Sequence, residues 1–208
     1  MPDGGAAATG TEVRDADWYG EDLSGREHAG VAFSGVDLSE CSATGVVFTD
    51  CTFSDCRFTA AQLADAAFVN CVFTGCSFFA ATLTGCKLVG ARFDRCSFDQ
   101  LTVTGGDWSF AVLPGADLRR ATFEGVRLRD ADLTGLAARG AALRSVDLSG
   151  ADLHDADLTD ADLRGSDLTA VDPRTARLRG ARIDLAQAVA LVSALGLEVD
   201  TGSADERR

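Results

Sequence analysis

The residues with the most chemistry to offer are seven cysteines, Cys41, Cys51, Cys56, Cys71, Cys76, Cys86 and Cys96. A set this dense invites zinc coordination, disulfide pairing or thiol redox chemistry. Their phase argues for something else. All seven stand two residues before the central position of a five-residue period, a position that is bulky and apolar after every one but Cys41, and the slot they fill holds mostly Ala or Val elsewhere. A small residue repeating in step with a large one is an inward-facing packing layer, where a free thiol behaves as a compact hydrophobe. Cys56, Cys76 and Cys96 lie 20 residues apart and are placed to stack, which leaves a bridge open, but packing is the expected role. The other chemistry-bearing residues are sparse. His28 occupies a bulky apolar slot, and His154 stands beside Asp155 at outward positions. No activated nucleophile and no phosphate-binding glycine loop accompanies them. The expectation is a protein that is not an enzyme, with no cofactor, no metal and no small-molecule substrate.

The element that positions these residues is the period itself. Counting every fifth residue from Trp18 to Ile183 gives 34 central positions, of which 26 are Leu or Phe. His28, Ala43, Ala138 and Pro173 interrupt the bulky series without shifting it. Sixteen of the 17 glycines in this span lie two residues after a central position, where several Asp and Asn70 also occur. These residue types accept positive φ at least cost, so the chain must turn every five residues. Neither the helical period of 3.6 nor the strand period of 2 fits five, and a solenoid does.

The pattern in Ala116-Asp117-Leu118-Arg119-Arg120 and Ala156-Asp157-Leu158-Thr159-Asp160 resembles the pentapeptide-repeat family over residues 16–183. The resemblance implies an all-β fold, a right-handed quadrilateral β-helix with four pentapeptides per coil. Thirty-four units make about eight and a half coils, and at about 4.8 Å per coil the rod is roughly 40 Å long. Phe33, Phe53, Phe73 and Phe93 then form one interior column and Phe58, Phe78 and Phe98 another.

The ends depart from the repeat. Residues 1–14 and 201–208 are expected to be disordered tails flanking a β-helix at 15–183 and a terminal element at 184–200. In that element, Asp184 to Gly196 reads as a helix with Asp184 as N-cap and Gly196 as C-cap. Leu185, Ala188, Val189, Val192 and Leu195 form an apolar stripe, Leu191 falls off it, and Leu197 and Val199 extend it. A helix apolar on more than one side suits covering the last coil and a partner together. The segment also resembles the C-terminal element, helix and strand, by which gyrase-binding pentapeptide proteins pair. The expected interface of a homodimer is Leu185, Val189, Val192, Leu195, Leu197 and Val199.

A net charge of −13 and a pI near 4.4 disfavour direct contact with nucleic acid or an anionic membrane and favour a basic partner surface. No stretch approaches the length of a membrane span, and the start lacks a basic region followed by an apolar run, so the expected location is cytoplasmic. Placing outward residues by arithmetic modulo 20 segregates the charge. Two adjacent faces of the second half carry Asp107, Asp130, Asp132, Asp147, Asp152, Asp155, Asp167 and Asp172, opposed there by Arg127, Arg129 and Arg174. The other two faces stack Arg119, Arg139 and Arg179 in one column and Arg144 and Arg164 in the next. Acids recurring along a narrow rod imitate duplex phosphates, which repeat at about 3.4 Å per strand. Gly25, the Phe-rich first half, Ala111-Val112-Leu113 and Gly115-Ala116-Asp117-Leu118 resemble the MfpA and Qnr branch. That branch binds DNA gyrase or topoisomerase IV as a DNA mimic and opposes quinolones, so the resemblance implies one of these enzymes as partner. The unbroken register leaves no room for the projecting loops of the Qnr branch. The alternative reading is a pentapeptide scaffold for an unrelated protein partner, its acids serving turns and solubility.

Overall fold

In a computed structural model that describes residues 8–9 and 12–200, the chain winds as a parallel β-solenoid with a 20-residue coil. Fifteen short strands, from Ala8–Thr9 to Ala142–Arg144, precede one helix, α1 (Leu185–Ala194). Every strand pair is parallel with a sequence offset of 20, as in Phe33 against Phe53 and Phe53 against Phe73. One ladder can be followed through Asp22, Ser42, Gln62, Thr82, Thr102, Thr122, Ala142, Asp162 and Arg182. Those nine positions are eight full coils. Four pentapeptides per coil make four faces, and parallel crossovers of this kind wind right-handed.

The interior is the expected one. The central Leu and Phe residues and the small residues two before them are almost all buried. Six cysteines are buried and Cys96 is half-buried, and all are free thiols. Each cysteine sulfur except that of Cys41 donates to a main-chain carbonyl two residues back and to one on the coil beneath, as Cys56 does to Ser54 (3.4 Å) and Phe33 (3.6 Å) and Cys86 to Thr84 (3.5 Å) and Leu63 (3.4 Å). No group of three or more metal-ligating side chains occurs among the described residues. The ladder spacing sets the aromatic geometry. Rings of Phe33 and Phe53 stack at 4.8 Å and 8°, as do Phe53 and Phe73 at 4.8 Å and 9°. Rings on neighbouring faces meet edge-on, Phe48 against Phe53 at 5.3 Å and 75°. Both arrangements lie in the favourable range for aromatic pairs.

Four features differ from the sequence expectation. Strand pairing begins before residue 15, since Glu12–Arg14 pairs with Ala32–Ser34 and Ala8–Thr9 with His28 and Ala29. The extended backbone of 12–14 finds ladder donors on the next coil, so the boundary of the tail at 14 is too late. The remaining tail residues 1–7, 10–11 and 201–208 lie outside the described residues. Residues 197–200 form no strand within the chain. Pro173 keeps the phase, because Arg177 and Arg182 still pair with Asp157 and Asp162, but residues 172–176 tighten into a turn with Ala176 N–H on Asp172 O (3.0 Å).

The fourth difference is a break in one wall. On the coil beneath, Ser97 N–H reaches Cys76 O (2.9 Å), Phe78 N–H reaches Ser97 O (2.8 Å) and Ala80 N–H reaches Asp99 O (3.0 Å). Among the described residues none of the three equivalent bonds joins 96–100 to 116–120, while Leu118 N–H to Ala137 O (2.8 Å) resumes the ladder above. The coil between holds Trp108, the largest fully buried side chain. It also holds Gly106, whose φ is +90 and where a Cβ would strike the Cys86 carbonyl. At this φ and this distance from the neighbouring backbone only glycine fits. Phe98, which borders the break, stacks on Phe78 with ring centroids 5.7 Å apart.

His28 completes the phenylalanine column, stacked on Phe48 at 5.0 Å and 11°. Both ring nitrogens are buried without a hydrogen-bond partner among the described residues. Desolvation, followed by the charge of Arg26, lowers its pKa from 6.5. The folded state therefore binds fewer protons than the unfolded chain just below pH 6.5, and stability must fall as pH drops from 6.5 toward the folded pKa. His28→Phe extends the stack and removes an unsatisfied polar ring, which costs about 1–3 kcal/mol when buried. Thermal melts from pH 8 to 5 should show the variant more stable at every pH and without the slope of the parent below pH 6.5. Parallel curves for the two proteins would contradict a neutral, unpartnered His28.

Candidate partner-binding faces and terminal helix

The acids of interest are held by the turns they precede. The position before each central residue points outward, and when it is Asp its Oδ1 accepts the backbone N–H two residues on. This occurs at Asp107 with Ser109 (3.0 Å), Asp132 with Thr134 (3.1 Å), Asp147 with Ser149 (3.1 Å), Asp152 with His154 (2.9 Å), Asp167 with Thr169 (2.9 Å) and Asp172 with Arg174 (2.9 Å). Such side-chain-to-backbone bonds stabilise the turn. Asp130 and Asp155 instead occupy the corner itself with φ of 53 and 59, where Asp is among the tolerated residues. One oxygen of each turn-holding carboxylate is thereby committed and the group is fixed in orientation, with the other oxygen directed outward.

Register brings these acids together as the period requires. Asp107, Arg127, Asp147 and Asp167 form one ladder, and Val112, Asp132 and Asp152 the next. All eight acids are at least partly exposed. The structure divides them by neutralisation. Asp107 pairs with Arg127 at 2.8 Å, Asp147 with Arg129 at 3.3 Å and Asp172 with Arg174 at 3.7 Å. At Asp107 and Asp147 partial burial alone would raise the pKa. Hydrogen bonds from Ser109 and Ser149, with the nearby arginines, outweigh it and hold both carboxyls below the usual range. Asp155 faces His154 at 3.5 Å. No Lys or Arg among the described residues forms an ion pair with Asp130, Asp132, Asp152 or Asp167. Asp132 and Asp152 are directly opposed on neighbouring coils, as are Asp147 and Asp167, and like charges so placed destabilise a sheet.

The basic columns on the remaining faces are largely neutralised. Arg144 (2.8 Å) and Arg164 (2.7 Å) both clamp Asp162, which the Arg164 hydrogen bond and then Arg144 hold far below the ordinary carboxylate pKa against its burial. Arg119 pairs with Asp117 at 2.6 Å and Arg139 with Asp157 at 3.7 Å. Within residues 101–183, four of the acids that form no ion pair, Asp130, Asp132, Asp152 and Asp167, lie on the two acidic faces, while Glu124 and Asp160 lie outside them.

At the C-terminal end, Asp184 caps α1 as expected, within a capping box closed by Gln187. The helix ends at the C-cap Leu195, one residue before Gly196, whose φ of +82 makes it the residue that follows the cap. The helix meets the rod through two residues that the apolar stripe did not include. Gln187 is buried and its Nε2 donates to Leu163 O (2.5 Å), which also accepts Ser166 N–H, and to Ser166 O (2.7 Å) at the end of the last coil. Leu191, one turn later, packs on the core. The stripe itself turns away: Leu185 is 83% exposed, Leu197 58%, Leu195 43% and Val199 38%, while Val189 and Val192 are half-buried. Gln187 escaped the sequence reading because a lone polar residue in an apolar helix carries no periodic signal. The wall break had one, since Gly106 is the single repeat glycine off the turn position.

Comparison with known proteins agrees with this geometry. A family model for pentapeptide repeats matches residues 96–135, 139–172 and 156–187, and one for the SV2A/B/C luminal domain matches residues 22–98. No curated protein matches the chain significantly by sequence. The solved structure of QnrB1, a plasmid-mediated fluoroquinolone resistance protein, is 24% identical, covers 94% of this chain and 98% of its own, and superposes with a TM-score of 0.62. HetL, a pentapeptide-repeat protein involved in heterocyst differentiation regulation in the cyanobacterium Nostoc sp. strain PCC 7120, is 25% identical, with 82% and 84% coverage and a TM-score of 0.56. With its five-residue register, four-faced parallel solenoid and these matches, the chain belongs to the pentapeptide-repeat family.

Proposed function

We propose that this protein acts by binding, not catalysis, and that its two acidic faces occupy the DNA-receiving surface of a type II topoisomerase, DNA gyrase or topoisomerase IV. Such binding inhibits the enzyme, protects it from quinolones or a natural gyrase inhibitor, or does both. The observation that carries the reading is the set of Asp130, Asp132, Asp152 and Asp167, in register on adjacent faces and without a basic partner. Stacked like charges cost stability, and an opposing basic surface converts that cost into association energy and faster encounter. The fold shared with QnrB1, a fluoroquinolone resistance protein, supports the choice of topoisomerase. No helix among the described residues is long and apolar enough to cross a membrane, and a cytoplasmic location follows from the proposed partner. Titrating the protein into a supercoiling assay with purified gyrase, with and without a quinolone, should inhibit the reaction or restore it in the presence of drug at low micromolar concentration. No effect in either arm with the cognate enzyme rejects the reading.

The same proposal includes an isologous homodimer. Leu185, Val189, Val192, Leu195, Leu197 and Val199 are the surface it uses, because α1 holds the rod through Gln187 and Leu191 and leaves that stripe uncovered. Pairing two such stripes about a two-fold axis removes the exposed apolar area from water. Light scattering should give twice the 21.7 kDa chain mass for the parent and the single mass for Val192→Glu. A monomeric parent, or a variant that remains dimeric, contradicts the interface.

A further inference from the structure

The break between residues 96–100 and 116–120 opens a cleft of about 630 Å³ lined by Cys96, Ser97, Phe98, Asp99, Asp117 and the Arg119–Arg120 pair. Arg120 spans it to Asp99 at 3.3 Å. Of the seven thiols only Cys96 borders this opening, and it is the only one that is not fully buried. Its sulfur leans onto the coil beneath, donating to Phe73 O at 3.5 Å. On that coil the residue directly opposed is Cys76, since Ser77 and Ser97 are ladder partners. Adjacent rungs are about 4.8 Å apart, within the Cα separation of about 4.4–6.8 Å that a disulfide spans.

We propose that Cys96 and Cys76 form a thiol oxidation site, in which a hydroperoxide entering through the cleft converts the pair to a disulfide joining the two coils below the break. Cys96 is the attacking thiol. Its thiolate sulfur bonds to a peroxide oxygen, the O–O bond breaks, and the departing hydroxide takes a proton to leave as water. Cys96 is then a sulfenic acid. The Cys76 sulfur attacks the Cys96 sulfur, the S–O bond breaks, and hydroxide leaves with the Cys76 proton as a second water. Two thiols and one hydroperoxide thus become one disulfide and two waters when the oxidant is hydrogen peroxide.

The division of roles has a physical cause. A hydrogen bond from Cys76 is the largest influence on Cys96 and lowers its pKa, whereas Cys76, placed between Cys56 and Cys96, is pushed up and keeps its proton. Thiolate character and access together select the thiol that oxidises first. Cys51 and Cys71 supply an internal control: they are stacked in the same way, through Thr52 and Val72, but each is 0% exposed. No oxidant reaches them while the wall is intact.

The test is hydrogen peroxide treatment of the native protein, followed by tryptic mass spectrometry with dimedone present to trap sulfenic acid. The parent should lose two hydrogens and yield a cross-link between the peptide starting at Cys96 and the one carrying Cys76. Cys76→Ser should instead accumulate dimedone on Cys96, and Cys96→Ser should remain unmodified with Cys51 and Cys71 intact. Circular dichroism of each variant verifies that it is folded, and both substitutions are close in size to the thiol they replace. An unmodified Cys96 in the native parent, oxidation of another cysteine before it, or sulfenic acid on Cys96 in the parent without the Cys76 link each overturns the proposal.

Discussion

Everything in this molecule depends on one constraint, that residues 20 positions apart lie opposite each other at the fixed spacing of a parallel ladder, their N–H and C=O groups bonded to the flanking residues of the neighbouring coil. That spacing sets the 4.8 Å stacking of Phe33 on Phe53, lines the cysteine thiols in columns, and places Asp132 opposite Asp152. Each coil buries its centre only against its neighbours, so stability is carried along the axis and the exposed ends need covers. Gln187 shows what a cover must supply. Its one side-chain amide donates to the carbonyls of both Leu163 and Ser166, and of these only Leu163 O has a further backbone donor, from Ser166.

The acidic residues serve two roles that physical chemistry keeps compatible. Through Oδ1, Asp132, Asp152 and Asp167 hold turns, which accounts for Asp at these positions without reference to a partner. The turn needs only an acceptor oxygen, and Asn would provide it equally well. The negative charge is what the turn does not require, and stacking it without a cation costs stability. An acid at the same position of the repeat on another face is neutralised, Asp162 lying between Arg144 and Arg164. The contrast between Asp162 and Asp152 is the physical basis for treating the acidic faces as a binding surface and not as a by-product of turn chemistry.

Much of this was legible in the sequence because a five-residue period leaves little freedom. Once Trp18 to Ile183 is seen to keep phase, the column of every side chain follows by addition, and the stacking of Asp147 on Asp167 needs no coordinates. Departures from the period were harder to read. The early strand at Glu12–Arg14 lacks a Leu or Phe, since Val13 fills the central position, and pairing with Ala32–Ser34 supplies what composition does not show. The wall break falls at residues 96–100 and 116–120, whose repeat keeps its phase, so the period alone does not mark it. Ion pairing divides the acids partly by register, since Arg127 stands 20 residues after Asp107 while Asp152 stands 20 after Asp132, and partly by side-chain reach, as in the pairing of Arg129 with Asp147 at 3.3 Å.

The central claim is that unneutralised charge on the acidic faces, and not the fold alone, drives association. The most direct measurement is the salt dependence of gyrase binding for the parent and for a variant carrying Asp→Asn at 132, 152 and 167, with circular dichroism confirming the fold. Asn retains the acceptor each turn uses, so the variant should fold as the parent does, whereas ionic screening over a Debye length of about 8 Å acts only on charges that contribute to binding. The account predicts weaker binding and a shallower dependence on salt for the variant. A folded variant with the affinity and salt slope of the parent would contradict it and leave the acids as turn and solubility residues only.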